Sequence, residues 1–153
     1  MRETWTVEEY RSRIGQEIGV SDWILVDQDR INRFADVTED WAEIHVDVEG
    51  MRDSPFGGTI GHGFLTIALL AAMIPSGPPV LAGVTMGFNY GFDRLRLIAP
   101  IPSGKRIRGR FKLKDFSERS PGEYRFVHDV TVEIEGEEKA ALVAEWLILA
   151  RVG

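Results

Sequence analysis

The sequence predicts a single α+β domain, spanning residues 1–153, in which an antiparallel β-sheet wraps a central apolar helix. Its 153 residues fit the usual size of one domain, about 100 to 150 residues. Helical patterns come first, and from Val80 onward the pattern is that of strands separated by proline- and glycine-containing turns. Between them, an apolar run from Phe64 to Ile74 is interrupted only by Thr66. The run is shorter than the roughly 20 residues that span a bilayer, so it predicts a buried core helix.

Composition excludes several classes of function. The chain has no cysteine, which rules out disulfide scaffolds, cysteine-ligated zinc, iron–sulfur clusters and thiol nucleophiles. Its formal charge is −6, so a general electrostatic attraction to nucleic acid or to an anionic membrane is not expected. The N-terminus lacks the basic patch and apolar stretch of a secretory signal. Together these features predict a cytoplasmic protein.

Local signals define the first helix and a short strand. Thr6 and Glu9 have the Thr-x-x-Glu spacing of a capping box, which predicts a helix that ends near Gly15. The apolar residues Trp23–Val26 then predict a short strand.

A second helix follows this strand. Asp27 is placed to cap it, and Ile31, Phe34 and Ala35 recur at the i, i+3, i+4 spacing of one helical face. The polar residues between them are expected to face solvent.

Two long strands are predicted to form a hairpin with matched faces. Residues 106–114 alternate basic and mostly apolar side chains, and acidic side chains occupy the corresponding face of residues 124–135. A turn around Arg119 and Ser120 places Arg110 opposite Asp129 and Arg106 opposite Glu133, and Phe111 opposite His128. The basic row could form a nucleic-acid track, but the acidic partner strand favours cross-strand charge pairing.

The last strand and the sheet edges predict how the domain assembles. Ala140–Ala150 is apolar apart from Glu145, which is typical of a central strand buried on both faces. A single wrapped sheet leaves strand edges uncovered, and a homodimer would cover them.

The histidines are the first candidates for chemistry. His128 lies on the apolar face of a strand, where we expect a hydrogen-bonded core histidine. His45 and Asp40 begin the irregular, glycine-rich segment 38–63, and long irregular segments in compact domains are usually functional. A carboxylate and an imidazole can share a water and divide its proton transfers. Spacing alone favours the other interpretation, in which Asp40 caps a turn and His45 is a surface residue.

His62 and Gly63 precede the apolar helix. If the helix begins there, the N–H of Gly63 is unpaired and has the positive end of the helix dipole behind it, which suits a developing oxyanion. The alternative is an ordinary flexible helix entry with His62 packed against the sheet. A metal site at His45 is not predicted, because no second histidine has helical ligand spacing to it.

Two of these segments resemble the MaoC-like, (R)-specific enoyl-CoA hydratases of the hot-dog fold. Residues 35–47 contain an Asp, four intervening residues and a His, and residues 55–66 contain the helix-opening His-Gly. The resemblance extends through residues 89–91 and 100–104, and so covers most of the chain from about Val20 onward. The family commonly reads Gly-Asp-x-Asn-Pro-x-His, whereas here Glu39 replaces the glycine and Ala42-Glu43 replaces Asn-Pro.

The resemblance implies the hot-dog fold and a set of roles. Asp40 and His45 correspond to the catalytic pair, and Gly63 to the glycine whose amide binds the thioester oxygen; His62 and Tyr90 are candidate substrate-binding residues. The implied reaction is reversible addition of water to trans-2-enoyl-CoA, giving (R)-3-hydroxyacyl-CoA. Coenzyme A enters as part of the substrate, with no bound cofactor or metal. The alternatives are a hot-dog acyl-CoA thioesterase and, given the altered loop, a non-catalytic acyl-CoA-binding module.

Overall fold

The computed structural model describes residues 3–153, so the first two residues of the predicted domain lie outside it. Its helices are α1 (Val7–Ser12), α2 (Gln28–Thr38), α3 (Glu43–Val46) and α4 (Gly63–Met73). Its strands are β1 (Thr4–Trp5), β2 (Glu17–Val20), β3 (Ile24–Val26), β4 (Val80–Leu81), β5 (Val84–Leu97), β6 (Lys105–Ser120), β7 (Glu123–Ile134) and β8 (Leu142–Val152). The α+β class is confirmed, and a membrane span would need a longer apolar helix than any in residues 3–153.

One antiparallel sheet organises the domain. Its strands lie in the order β2-β6-β7-β8-β5, and β3 also pairs with β6. The strands β1 and β4 form a separate parallel pair. The predicted position of the last strand is confirmed, because β8 lies between β7 and β5. The strand begins at Leu142, and it is not buried on both faces throughout, since Val143 and Glu145 are only half-buried. The long strand β5 is left at the edge.

The local signals at the start of the chain are confirmed with small shifts. The Thr6 hydroxyl accepts a hydrogen bond from the Glu9 N–H, and the Thr6 N–H donates to the Glu9 carboxylate, as in a capping box. The helix α1 ends at Ser12, before the predicted stop at Gly15. Asp27 caps α2 by accepting from a first-turn N–H at 2.9 Å.

The apolar helix α4 packs on the inner face of the sheet, but the sheet covers only one of its sides. Leu65, Leu70 and Met73 are buried, whereas Phe64 is 75% exposed. Three small residues on the helix are also exposed, namely Ala68, Ala71 and Ala72. The expectation of a wholly buried helix is therefore corrected for the single chain, because no element within residues 3–153 covers these exposed positions of α4.

The β6–β7 hairpin has the predicted faces and a different register. Arg110 lies opposite Thr131 and not Asp129, and Phe111 lies opposite Val130. The register prediction was wrong by two residues because the turn is at Pro121-Gly122, where the glycine adopts a φ of +76°. A proline followed by a glycine suits this turn, since proline lacks an N–H and glycine tolerates positive φ.

The charge pairing predicted for this sheet is confirmed with other partners. The basic side chains of β6 form ion pairs with acidic residues of β2, β7, β8 and the turn that follows β7. These pairs are Arg106–Glu135, Arg108–Glu133, Arg110–Glu17 and Lys114–Glu145. Four of the five basic side chains of the row are therefore paired within the chain, which supports charge pairing over an anionic-ligand surface.

Candidate active site

Asp40 is the first residue after the turn that ends α2. The preceding Glu39 closes the helix in the left-handed conformation, with a φ of +58°. The Asp40 carboxylate is exposed, and among the described residues 3–153 it accepts one long hydrogen bond, 3.4 Å, from the N–H of Ala42. This carboxylate is therefore available to a water or a substrate.

His45 lies in the short helix α3 with one ring nitrogen committed. Its Nδ1 is 2.7 Å from the carbonyl oxygen of Ile60. A carbonyl oxygen only accepts hydrogen bonds, so Nδ1 carries the hydrogen, and in the neutral ring Nε2 holds the free lone pair. The Nε2 atom has no partner among residues 3–153 and is not sealed from solvent. The Nε2 atom of His45 is therefore a proton acceptor that solvent can reach.

Gln28 fixes the helix that contains His45. Its side-chain amide donates to the His45 carbonyl oxygen at 2.7 Å, and its side-chain oxygen accepts from the Thr59 hydroxyl. The sequence analysis missed both residues. Gln28 stands in no motif, Thr59 has no role assigned to it within residues 55–66, and only the folded chain brings the two together.

His62 lies directly behind His45. Its ring is 1% exposed and stacks on the ring of His45, with centroids 3.8 Å apart and an interplanar angle of 26°. Its Nε2 donates to the backbone carbonyl of Asp40 at 2.9 Å, which leaves the lone pair on Nδ1 buried without a partner in the described chain. Phe34 also contacts this ring, with centroids 5.0 Å apart. His62 therefore links Asp40 to His45, and its role in substrate binding stays a prediction.

Gly63 is the first residue of α4, with His62 as the N-cap. The N–H of a first helical residue has no acceptor within its helix, and the helix dipole is positive at this end. A Cβ atom at Gly63 would lie 2.4 Å from Cδ1 of Leu97, so the glycine allows close packing between α4 and β5. The predicted helix start is confirmed, and the oxyanion role remains a prediction.

Asp40, His45 and His62 offer donor atoms within 4.8 Å of one another. No second histidine has helical spacing to His45, but folding brings His62 to it from a distant segment. An imidazole binds a metal through a lone pair in its ring plane. Each ring already commits one nitrogen to a backbone carbonyl, so a cation would have to bind through the remaining nitrogen of each ring.

Tyr90 is not brought to this cluster within the chain. It lies on β5, is 52% exposed, and its ring contacts the guanidinium of Arg119 at 5.1 Å. It lies seven positions before Leu97 on the strand, about 23 Å at 3.3 Å per residue, and Leu97 is the residue that packs against Gly63. Its role at an acyl pocket stays a prediction.

Comparison with known proteins identifies the family. The sequence model described as "MaoC like domain" matches residues 9–135. The chain is 49% identical to Nodulation protein N of Rhizobium meliloti over 147 residues, covering 95% of this chain and 91% of that protein. It is 38% identical to 3-hydroxyacyl-thioester dehydratase Z of Mycobacterium tuberculosis over 148 residues, or 97% of each chain. The chain belongs to the MaoC-like domain family.

Solved structures agree on the MaoC-like fold. The R-hydratase PhaJ1 of Pseudomonas aeruginosa superposes with a TM-score of 0.72 and 21% identity, covering 94% of this chain and 86% of that chain. The MaoC-like dehydratase of Rhodospirillum rubrum gives 0.73 and 20% identity, covering 92% and 93%. These neighbours show the hot-dog fold, and the family has hydratase and dehydratase members.

The departures from the MaoC-like pattern now have structural explanations. Glu39 occupies a left-handed position that glycine adopts at little cost, which accounts for the glycine common in the family. Ala42 is the N-cap of α3 and makes no side-chain cap hydrogen bond, whereas the family's asparagine could cap there. Both changes leave Asp40 and His45 together at the start of α4.

Proposed function

We propose that this protein catalyses the reversible addition of water to trans-2-enoyl-CoA, giving (R)-3-hydroxyacyl-CoA. The observation that supports this most is the closeness of the Asp40 carboxylate and the His45 ring, within 4.8 Å, next to the first residue of α4. The stereochemistry is taken from the family resemblance.

Asp40 and His45 hold the attacking water in this mechanism. The water oxygen bonds to C3 of the enoyl group while one member of the pair takes a proton from the water. The other member delivers a proton to C2, so the product gains one water in total. Positioned general acid–base groups contribute roughly 10²–10⁴-fold each.

The Gly63 N–H receives the charge that develops on the thioester oxygen. Attack at C3 moves electrons toward that oxygen, which becomes enolate-like. Removing one such donor from an oxyanion site typically costs about 2.7–4 kcal/mol. The helix dipole adds to this stabilisation because α4 begins at Gly63.

The tautomer of His45 suits the same reaction. Nδ1 donates to the Ile60 carbonyl, so Nε2 is free to accept a proton. The Asp40 carboxylate lies close to this ring, so one bound water can contact both groups. Proton transfer alone completes the reaction, so we propose no cofactor or metal and regard coenzyme A as part of the substrate.

A homodimer is the second part of the proposal. The edge strand β5 exposes several large apolar side chains, namely Met86, Phe88, Tyr90 and Phe92. The uncovered side of α4 adds Phe64, which is 75% exposed. An apolar strand edge in water invites pairing with another chain, and a second copy would cover both surfaces.

Incubation with crotonyl-CoA tests the proposed reaction. We expect loss of the enoyl absorbance and formation of (R)-3-hydroxybutyryl-CoA, with no free thiol. Release of free CoA would instead assign a thioesterase. Binding of enoyl-CoA across a series of chain lengths with no turnover would assign an acyl-CoA-binding module.

A further inference from the structure

The buried histidines differ in how hydrogen bonds fix their rings. His128 in β7 is 3% exposed, and neither of its ring nitrogens has a hydrogen-bond partner among residues 3–153. The expectation of a hydrogen-bonded core histidine is therefore corrected, and burial lowers the pKa of His128 to about 4. In His45, by contrast, the bond from Nδ1 to the Ile60 carbonyl selects one neutral tautomer, because the bond made by one ring nitrogen decides which nitrogen carries the proton.

Gln28 ties the backbone of His45 to the segment that supplies the Ile60 carbonyl. Its Nε2 donates to the His45 carbonyl oxygen at 2.7 Å. Its Oε1 accepts from the hydroxyl of Thr59, the residue before Ile60. The His45 carbonyl can only accept, so the orientation of the Gln28 amide follows from its partners. Together with the bond from Nδ1 of His45, these bonds form a closed loop that begins and ends at His45.

The helix α2 is a firm base for this bridge. Gln28 is its first residue, the Asp27 cap fixes this end, and Ile31 and Ala35 are fully buried. The other amide hydrogen of Gln28 donates to the exposed Asn32 at 2.9 Å, outside the loop. The bridge is therefore attached to an element that does not depend on α3.

The Ile60 carbonyl is fixed by its own segment. It shares a peptide plane with the Gly61 N–H, which donates to the carbonyl of Ile101 at 2.8 Å. The helix α3, by contrast, has four residues and no side-chain cap. Among the described residues, one backbone hydrogen bond joins α3 to segment 59–61, from the Ile60 N–H to the Ile44 carbonyl at 3.0 Å. A single bond leaves α3 free to turn about it, and the bridge through Gln28 removes that freedom.

We propose that Gln28 is a positioning residue for His45: with the Thr59 hydroxyl, it holds α3 so that Nδ1 meets the Ile60 carbonyl and Nε2 stays the proton acceptor. This rests on the proposed function, since it assigns that acceptor to the hydration reaction. The stack on His62 holds the plane of the His45 ring, and the Gln28 bridge holds its place within that plane. Without the bridge, the proton can move to Nε2, which then has no lone pair to accept another.

Nitrogen NMR of the protein labelled in its histidine rings tests the proposal without turnover. At mildly alkaline pH the rings are neutral, and the chemical shift of a ring nitrogen tells whether it carries a proton. We expect Nδ1 of His45 to carry the proton in the wild type, and the two tautomers to mix in Gln28→Met and in Thr59→Val. Both replacements keep the approximate size of the side chain and remove its hydrogen bonds. The spectrum of His45→Ala assigns the His45 signals.

Steady-state hydration of crotonyl-CoA measures the effect on the reaction. Gln28→Met and Thr59→Val should each lower kcat about tenfold, with KM little changed, because neither side chain contacts the substrate in this role. The double variant should lose little more than either single variant, since both break the same loop. Thr59→Ser keeps the hydroxyl and should retain most of the activity.

Asn32→Ala is the matched control. It removes a hydrogen bond of Gln28 that lies outside the loop, at an exposed residue of the same helix. The tautomer of His45 and the value of kcat should both stay those of the wild type. Should Gln28→Met fail to fold, Thr59→Val breaks the same loop and carries the same expectation.

Three results would overturn the proposal. The first is a wild-type His45 that carries its proton on Nε2, and the second is a wild-type tautomer retained in both variants. The third is mixing of the tautomers with hydration still at the wild-type rate. If the wild type does not hydrate any enoyl-CoA, the proposed function fails, while the tautomer measurement still decides whether Gln28 fixes the His45 ring.

Discussion

His62 stacks on His45 with ring centroids 3.8 Å apart and donates a hydrogen bond to the backbone carbonyl of Asp40. One buried side chain thus fixes the two residues that we propose as the catalytic pair. Because His62 immediately precedes Gly63, the same short segment also sets the start of α4. His62 therefore holds the proposed catalytic pair and the proposed oxyanion donor, Gly63, to one another, and we regard it as a positioning residue.

Replacing His62 by phenylalanine separates the stack from the hydrogen bond. His62→Phe keeps a ring stacked on His45 but removes the N–H that donates to the Asp40 carbonyl. The backbone at Asp40 therefore loses the hydrogen bond that holds it in place. We expect kcat for crotonyl-CoA hydration to fall about tenfold, with KM little changed. Unfolding stability should change by about 1 kcal/mol or less, because the variant also removes a buried, unpartnered nitrogen. Steady-state kinetics measure kcat and KM, and urea unfolding measures the stability. A large rise in KM, or a variant that does not fold, would contradict a positioning role.

The left-handed residue after α2 predicts a stabilising substitution. Glu39→Gly should raise the unfolding free energy by about 1 kcal/mol, because a non-glycine residue is strained at a φ of +58°. Val37→Gly is the matched control in the exposed, helical part of α2 and should instead lose about 0.5–1 kcal/mol. Urea unfolding measures both. Destabilisation by Glu39→Gly would show that the left-handed turn is not strained there.

His128 predicts an acid-dependent loss of stability. Its pKa is about 4 in the folded chain against an ordinary 6.5, so the unfolded chain takes up a proton first as the pH falls. Between pH 6.5 and pH 4 this residue should lower the unfolding free energy by up to about 3 kcal/mol. It should contribute nothing further at lower pH. The difference between wild type and His128→Leu isolates this effect from the carboxylates, and parallel stability curves for the two proteins would disprove it.

The apolar edge strand β5 is the proposed dimer interface, so a charge introduced there should prevent dimerisation. We expect the wild type to have twice the 17.2 kDa chain mass by light scattering at micromolar concentration. Phe88→Glu should shift it to the chain mass, because a charge on the exposed edge is costly to bury. Val37→Glu, at an exposed apolar residue of α2, is the control and should leave the mass unchanged. A wild-type mass near that of one chain would contradict the homodimer.

Features set within a few residues could be predicted from the sequence. The Thr6 and Glu9 capping box and the Asp27 cap were found because each side chain bonds a backbone N–H three residues away. The start of α4 was likewise marked by an apolar run preceded by glycine. These interactions depend on local spacing, which the sequence states directly.

Features set by turns and by contacts between distant segments could not be predicted from the sequence. Charge alternation repeats every two residues, so a slip of two left the faces of the β6–β7 hairpin intact, and only Pro121-Gly122 and the bulges fix the register. The stacking of His62 on His45 joins separate segments and has no sequence periodicity. The open side of α4 was missed because an all-apolar helix does not reveal whether its cover comes from the same chain.

The central claim is that Asp40 and His45 hold the attacking water together. Asp40→Asn keeps the size and most hydrogen bonding of the side chain but removes the base. His45→Ala removes its partner. The double variant should lose less than the product of the single losses, because the two groups act as a unit.

The most direct measurement is the rate of crotonyl-CoA hydration by Asp40→Asn, followed by loss of the enoyl absorbance. We predict that kcat falls by roughly 10²-fold or more, while acyl-CoA binding and thermal stability stay close to those of the wild type. Hydration at the wild-type rate by Asp40→Asn would contradict the assignment of this carboxylate and, with it, the proposed mechanism.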